Sequence, residues 1–210
     1  MRVLVGCEFS GIVRDAFLER SHDAISCDFR PTERPGPHYQ GNVLDLLDGR
    51  THINGKIPKW DLIIMHPDCT ALCNAGNKHY GQGKPMYYER LSAALWTAKL
   101  WGKCRMLCNK VIFENPPGVL RSMAGLPKPQ FIQPYEHGHM EQKRTGLYKT
   151  ATLPDIEPTD WVYAEMMKLP QREREAVFYM GPSETREMDR ARTYPGIAAA
   201  WAEQWGSHES

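Results

Sequence analysis

Residues 61–76 read Asp-Leu-Ile-Ile-Met-His-Pro-Asp-Cys-Thr-Ala-Leu-Cys-Asn-Ala-Gly. Their apolar run, flanked by polar residues and followed closely by a proline, is typical of a buried strand that ends in a loop. That loop carries Cys69. Because α/β folds place ligands and chemistry in loops at the carboxyl ends of their strands, Cys69 is a candidate functional thiol. A packing role is the alternative, although packing cysteines lie more often inside a helix or strand.

Similar apolar runs alternate with helical patterns along the rest of the chain. This alternation predicts an α/β fold with a parallel sheet covered by helices on both faces. In the long helix the predicted buried stripe is Leu91, Ala94, Leu95, Ala98, Trp101 and Cys108. Residues 30–40, which contain three prolines, are expected to form an irregular loop. Strands are predicted at 2–6, 23–27, 59–65, 110–115, 130–133 and 146–150, and helices at 12–20, 87–109, 170–179 and 196–205.

Glu114 is a second candidate functional residue. It stands at the end of the apolar run 110–113 and should be partly desolvated, so it could donate a proton near neutrality. A glutamate in a salt bridge at a strand end would fit the same position. If the strands that end near Cys69 and Glu114 are neighbours, both groups face one crevice, which favours a nucleophile paired with an acid.

The first strand, turn and helix have the layout of a nucleotide site. Gly11 lies in the turn after strand 2–6, and Asp28 ends the second strand, where a carboxylate can accept hydrogen bonds from ribose hydroxyls. A tight structural turn and an ordinary surface aspartate explain the same residues.

Composition and charge exclude few classes of function. The 210 residues carry 26 basic and 25 acidic side chains, so the net charge does not by itself indicate a polyanionic partner. Residues 99–144 have eight basic and three acidic residues, whereas 155–190 have five and nine. A basic centre is compatible with a phosphate-bearing ligand. With neither a leader pattern nor an apolar run of about 20 residues, a soluble, cytoplasmic protein is expected.

The six cysteines are expected to be free thiols in a reducing compartment. Cys69 and Cys73 lie four residues apart, as do Cys104 and Cys108, so a four-thiolate zinc site is an alternative. The second pair fits the buried side of a helix better, and no metal is expected.

Taken together, these motifs resemble those of the DNA cytosine-5 methyltransferases, and also short phage-encoded proteins of that type. The resemblance covers residues 2–205 in the family's order. The matching segments are Phe9-Ser10-Gly11, Pro67-Asp-Cys69 with its trailing Ala75-Gly76, Phe113-Glu114-Asn115, Gln142-Lys-Arg144 and Tyr194-Pro-Gly196.

The resemblance implies a Rossmann-like class I fold and S-adenosylmethionine as the methyl donor. Cys69 would be the thiolate that adds to carbon 6 of cytosine, and Glu114 would hold or protonate ring nitrogen 3. Arg144 would contact the base or lower the pKa of the thiol, and Asn115 would fix the loop. The implied cofactor-binding residues are Phe9, Ser10, Gly11, Asp28, Asn42 and Pro67.

The chain also departs from the family. Val13, Asp68, Thr70 and Gly146 replace motif residues, and Asn42 replaces an aspartate. Residues 150–193 form a reduced, acidic insertion in a single domain where the family carries a target-recognition domain. Duplex DNA, a single strand and a free pyrimidine nucleotide therefore all remain candidate substrates, and a protein partner could select the target. The alternative is an inactive relative that binds nucleotide, nucleic acid or a host factor.

Overall fold

The computed structural model describes residues 1–51, 53 and 58–207. Its strands form one sheet in the order β3-β2-β1-β4-β5-β7-β6. The first five strands are parallel, and β7 runs antiparallel to both of its neighbours. The predicted α/β class with a mostly parallel sheet is therefore confirmed. The strands are β1 (Arg2–Gly6), β2 (Asp23–Asp28), β3 (His38–Gln40), β4 (Leu62–Met65), β5 (Val111–Asn115), β6 (Gln130–Ile132) and β7 (Thr145–Lys149).

Helices cover both faces of this sheet. One core packs α1 and α10 against one face, and a second core packs α2 and α4 against the other. Within the described ranges, no helix is both long and apolar enough to cross a membrane. The helices are α1 (Ile12–Glu19), α2 (Val43–Leu47), α3 (Asn77–Tyr80), α4 (Tyr87–Leu107), α5 (Leu120–Met123), α6 (Tyr163–Met166), α7 (Gln171–Arg174), α8 (Ala176–Tyr179), α9 (Arg186–Ala191) and α10 (Pro195–Gln204).

The strand order places a crevice beside β1. β1 pairs with β2 on one side and with β4 on the other, so the direction of winding reverses between β1 and β4. In doubly wound sheets, ligands bind outside the carboxyl ends of the strands at this switch point. The segment 66–69 leaves β4 at this position.

Three local predictions were wrong. The loop 30–40 ends in the short strand β3, and the helix expected at 170–179 is divided into α7 and α8 at Glu175. In α4, Leu91 and Leu95 are 37% and 57% exposed. The buried face of α4 instead consists of Arg90, Ala94, Thr97, Leu100, Trp101 and Cys104.

Two polar side chains on this face explain why the stripe was misplaced. Arg90 is buried because it hydrogen-bonds the loop that carries Cys69. Thr97 is buried because its hydroxyl donates to the carbonyl of Ala93, 2.8 Å away. A buried polar group is tolerated when it has such a partner, and an apolar periodicity does not reveal it.

Candidate active site

The loop after β4 presents Cys69 at the switch-point edge. The backbone N–H of Cys73 donates to the carbonyl of Cys69 over 2.9 Å, which closes the loop into a turn. Asp68 accepts hydrogen bonds from the backbone and the hydroxyl of Thr70, at 2.9 and 2.7 Å. These bonds fix the backbone on both sides of the partly exposed Cys69 thiol.

Two neighbours clamp this loop. The Arg90 guanidinium from α4 donates to the carbonyls of Ala71 (2.6 Å) and Cys73 (3.2 Å). On the other side Gly118, in the turn after β5, lies so close that a Cβ would come within 2.0 Å of the Leu72 carbonyl oxygen. The loop is therefore held between α4 and the β5 turn.

The thiols of Cys69 and Cys73 interact with each other. A hydrogen bond to Cys73, together with burial, raises the pKa of Cys69 above its ordinary value. The same hydrogen bond, with help from the backbone N–H groups of Gly76 and Ala75, lowers the pKa of Cys73 to about 6. The hydrogen bond between them therefore favours the thiolate on Cys73 and the protonated thiol on Cys69.

Glu114 pairs with a histidine that was not singled out from the sequence. The Nδ1 atom of His66 lies 3.0 Å from Oε2 of Glu114, within hydrogen-bond distance. The His66 ring stacks on Trp201 of α10, with 6.0 Å between ring centres and 24° between planes. Its position directly after β4 was the signal available in the sequence.

Asn115 joins the two strand tips. Its buried side-chain amide donates to the carbonyl of Pro67 over 2.8 Å. Because Pro67 precedes the Cys69 loop and Asn115 follows Glu114, this bond fixes the two candidate groups relative to each other. Cys69 and Glu114 are close enough that the charge of Glu114 contributes to the raised pKa of Cys69.

Lys143 is a cation close enough to these groups for their charges to act on it. The Lys143 ammonium donates to the carbonyls of Arg190 (2.6 Å) and Arg192 (3.1 Å). Burial lowers its pKa, against the opposing effects of the charges of Glu114 and Cys69. Lys143 and Glu114 also line one small cavity, whose other walls are Thr145, Ala191, Arg192, Thr193, Tyr194, Ile197 and Trp201.

Arg144, which the resemblance placed beside the base or the thiol, is not among the residues that line the cavity of Glu114 and Lys143. Its guanidinium lies over the ring of Phe131, 4.0 Å from the ring centre. Lys143 lines the same cavity as Glu114, whereas the adjacent Arg144 is exposed.

The turn after β1 is closed by a buried acid. Glu8 Oε1 accepts hydrogen bonds from the Ser10 hydroxyl and from the N–H of Val13, both at 2.9 Å. Gly11 has φ of 74°, a left-handed conformation that glycine adopts without strain, and α1 begins at the next residue. The second oxygen of Glu8 is buried without a hydrogen-bond partner.

The other predicted cofactor-binding residues lie at the ends of neighbouring strands. Asp28 is half-buried at the end of β2 and accepts a hydrogen bond from the N–H of Arg30. The next residue, Phe29, is 73% exposed. Phe9 is buried, with Arg30 over its ring, and the Asn42 side chain caps α2 by accepting from the N–H of Leu44.

In the part of the chain that the structure describes, no group of three or more His, Cys, Asp or Glu side chains could hold a metal ion. The two cysteine pairs therefore do not form the zinc site considered from their spacing. Cys104 is buried inside α4 and Cys108 follows that helix, whereas Cys69 and Cys73 lie on the loop after β4.

Comparison with protein-family models gives no match, and comparison with curated proteins gives none either. Among solved structures, the chain resembles a crystal structure from E. coli described as a candidate DNA modification methyltransferase encoded within a prophage. The TM-score is 0.50 and the identity 12%, over 77% of this chain and 51% of the other. The chain thus spans about half the length of that protein. At this identity the likeness shows a shared fold, and with the strand order it confirms the predicted Rossmann-like architecture.

Proposed function

We propose that the chain transfers a methyl group from S-adenosylmethionine to carbon 5 of cytosine, in DNA or a smaller pyrimidine substrate, through a covalent adduct of Cys69. The observation that supports this most is the hydrogen bond from Asn115 to the Pro67 carbonyl, which joins the strand tip that carries Glu114 to the loop that carries Cys69. The likeness to a structure described as a candidate DNA modification methyltransferase is consistent with the proposal.

The residues at the β1–β4 switch point fit the proposed cofactor. The unpartnered oxygen of Glu8 could accept a hydrogen bond from the ammonium group of S-adenosylmethionine. Asp28 could accept hydrogen bonds from the hydroxyls of the cofactor's ribose. The exposed ring of Phe29 offers a face on which an adenine could stack. When bound, the cofactor supplies the methyl group on a cationic sulfur.

The thiol pair would supply the nucleophile. Because the two thiols are hydrogen-bonded to each other, Cys73 would accept the proton of Cys69 while Cys69 attacks carbon 6 of the ring as a thiolate. The addition makes carbon 5 electron-rich. After methylation, a water molecule would accept the carbon 5 proton, the carbon 6–sulfur bond would break with its electron pair returning to Cys69, and the ring would be restored.

The acid and the cation would stabilise the charge pushed into the ring. Glu114, held by His66, would hold or protonate ring nitrogen 3. The Lys143 ammonium is fixed by two backbone carbonyls and would face the negative charge that develops during the addition. In this proposal Lys143 takes the role that the resemblance implied for Arg144.

The proposal is tested with labelled S-adenosylmethionine and, separately, duplex DNA, single-stranded DNA and dCMP. We expect label in at least one cytosine substrate and none with Cys69→Ala. A substrate that contains 5-fluorocytosine should trap the chain covalently, because fluorine replaces the carbon 5 proton that must leave. Mass spectrometry should then locate the adduct on residue 69.

Cys73→Ala is the matched variant, since it removes the neighbouring thiol and leaves the proposed nucleophile. It should retain the adduct on Cys69. An adduct on Cys73, or full activity in Cys69→Ala, would contradict the assignment of the nucleophile.

One observation favours a second function, binding without turnover. Glu8 and Ser10 already bond to each other at the first turn, so part of the polar surface expected to meet a cofactor is satisfied within the protein. Calorimetry separates the two functions, because an inactive relative need not bind S-adenosylmethionine.

A further inference from the structure

Arg144 lies over the ring of Phe131 in β6, and a cluster of three further aromatic side chains begins at Tyr135, just after that strand. Tyr135 contacts Trp161 and Tyr163 through edge-type ring pairs, with centres 5.6 and 5.1 Å apart and planes at 82° and 64°. Trp161 is 58% exposed and Tyr163 39%. We call Phe131, Tyr135, Arg144, Trp161 and Tyr163 the aromatic patch.

The rings of the patch rest on fixed backbone. The N–H of Val162 donates to the carbonyl of Tyr135 over 2.9 Å, and the N–H of Asp160 donates to the carbonyl of Glu136 over 3.1 Å. The Glu136 carboxylate accepts from the N–H of Gln133. Trp161 nevertheless keeps more than half of its surface exposed to solvent.

Arg144 places a positive charge beside the aromatic rings of the patch. Its guanidinium stacks on Phe131, and it is near enough to Tyr135 to oppose the raised pKa of that phenol, which arises first from burial. A planar cation beside open aromatic faces matches the chemistry of a single-stranded nucleic acid, with bases that stack and phosphates that carry negative charge. A duplex keeps its base faces stacked inside the helix and could not use these rings.

The patch lies at the same edge as the proposed active site. Because β7 is antiparallel to its neighbours, its amino end meets the carboxyl ends of β4, β5 and β6. Gly146 pairs with Asn115 on one side and with Phe131 on the other. Two strand spacings, about 10 Å, therefore separate the backbone beside Glu114 from the start of the patch.

We propose that the aromatic patch binds single-stranded DNA, with bases stacked on Trp161 and Tyr163 and a phosphate at Arg144, and guides a cytosine of that strand to Cys69. The identity of the strand as substrate rests on the proposed function. Binding of the strand by the patch does not, and it can be measured without cytosine.

The test is fluorescence anisotropy of a labelled dT oligomer of about twelve nucleotides, a length within the usual range for stacking surfaces. We expect binding that weakens as salt is raised, and a loss of about tenfold in affinity in Trp161→Ala. Arg144→Met should weaken binding and reduce its salt dependence. Trp96→Ala is the matched control, because Trp96 is an exposed tryptophan of α4 outside the patch.

Equal affinity in the wild type, Trp161→Ala and Arg144→Met would overturn the inference. So would a duplex that competes as well as the single strand does. Methyl transfer in none of the substrates, together with dT binding that depends on Trp161, would remove the proposed function and keep the binding surface. Methyl transfer together with dT binding that is unchanged in Trp161→Ala would remove the binding surface and keep the proposed function.

Discussion

The two thiols of the β4 loop are chemically different although they lie four residues apart. Cys73 has the lower pKa, about 6, because the Cys69 thiol and the backbone N–H groups of Gly76 and Ala75 stabilise its thiolate. Cys69 keeps its proton in the free protein. The candidate nucleophile is thus protonated in the free protein, and a neighbouring base is in place.

This difference predicts the order of alkylation. With iodoacetamide, Cys73 should be modified before Cys69, and its rate should rise to half of its plateau near pH 6, because the thiolate is the reacting form. In Cys73→Ala, Cys69 should react at lower pH than in the wild type, since the hydrogen bond that raises its pKa is lost. Peptide mapping by mass spectrometry measures both rates, and faster labelling of Cys69 in the wild type would contradict the assignment.

The position of Lys143 shows what the sequence could and could not specify at the site. The ends of apolar runs identified Cys69 and Glu114, because a strand tip is recognisable from composition alone. Which of two adjacent cations faces the site depends on strand register, and a shift of one residue exchanges the two sides. The start of β7 at Thr145 turns Lys143 inward and Arg144 outward, which no local pattern indicated.

At the scale of elements, strands were easier to predict than the face of the long helix. Strands buried on both faces read as continuous apolar runs, and the predicted positions agree with β1, β2, β4, β5, β6 and β7. The helix α4 buries Arg90 and Thr97, so its apolar residues do not mark its buried side. Arg90 is buried because it donates hydrogen bonds to backbone carbonyls of the Cys69 loop. Such a contact between distant segments is not visible in the local sequence.

Two cysteines at the end of α4 give a matched test of its packing. The Cys104 side chain is fully buried in the core between α4 and the sheet. Cys108 is also buried, but its Sγ donates to the Lys110 carbonyl at 3.3 Å and accepts from the Lys110 N–H at 3.4 Å. A hydroxyl at position 108 therefore has partners, which corrects the apolar surroundings expected from the sequence.

Cys104→Ser should lower the free energy of unfolding by about 1–3 kcal/mol, since a hydroxyl enters an apolar core. Cys108→Ser should lower the free energy of unfolding by clearly less than Cys104→Ser does, because the Lys110 backbone can bond the new hydroxyl. Urea unfolding of both variants at pH 7 gives the comparison. Equal losses would mean that the Lys110 contacts do not accommodate a hydroxyl.

At the scale of the whole molecule, the segment before β7 is fastened to the last helix. A Cβ on Gly196, near the start of α10, would come within 2.0 Å of the His137 carbonyl, and the Gly196 N–H donates to Nε2 of His139 over 2.9 Å. His137 is itself buried, with Nδ1 3.0 Å from the Thr159 hydroxyl. These contacts connect His137 and His139, which follow Tyr135 of the aromatic patch, to α10, the helix whose Trp201 stacks on His66.

Acid should loosen this connection. Burial lowers the pKa of His137 to about 4, and burial also lowers the pKa of His139. An unfolded histidine binds its proton near pH 6.5, so below that pH the unfolded chain takes up more protons than the folded one. The stability that neutral His137 contributes is therefore complete above about pH 6.5 and is lost as the pH falls toward 4.

The free energy of unfolding measured by urea titration should fall between pH 7 and pH 4, with about 1–3 kcal/mol of the fall due to His137. In His137→Asn, where an amide can still reach Thr159, the fall should be smaller by that amount whatever the stability at pH 7. His79→Asn alters an exposed histidine of α3 and should keep the slope of the wild type. If His137→Asn also kept the wild-type slope, protonation of His137 would not drive the loss, and the link between the patch and α10 would not be sensitive to acid.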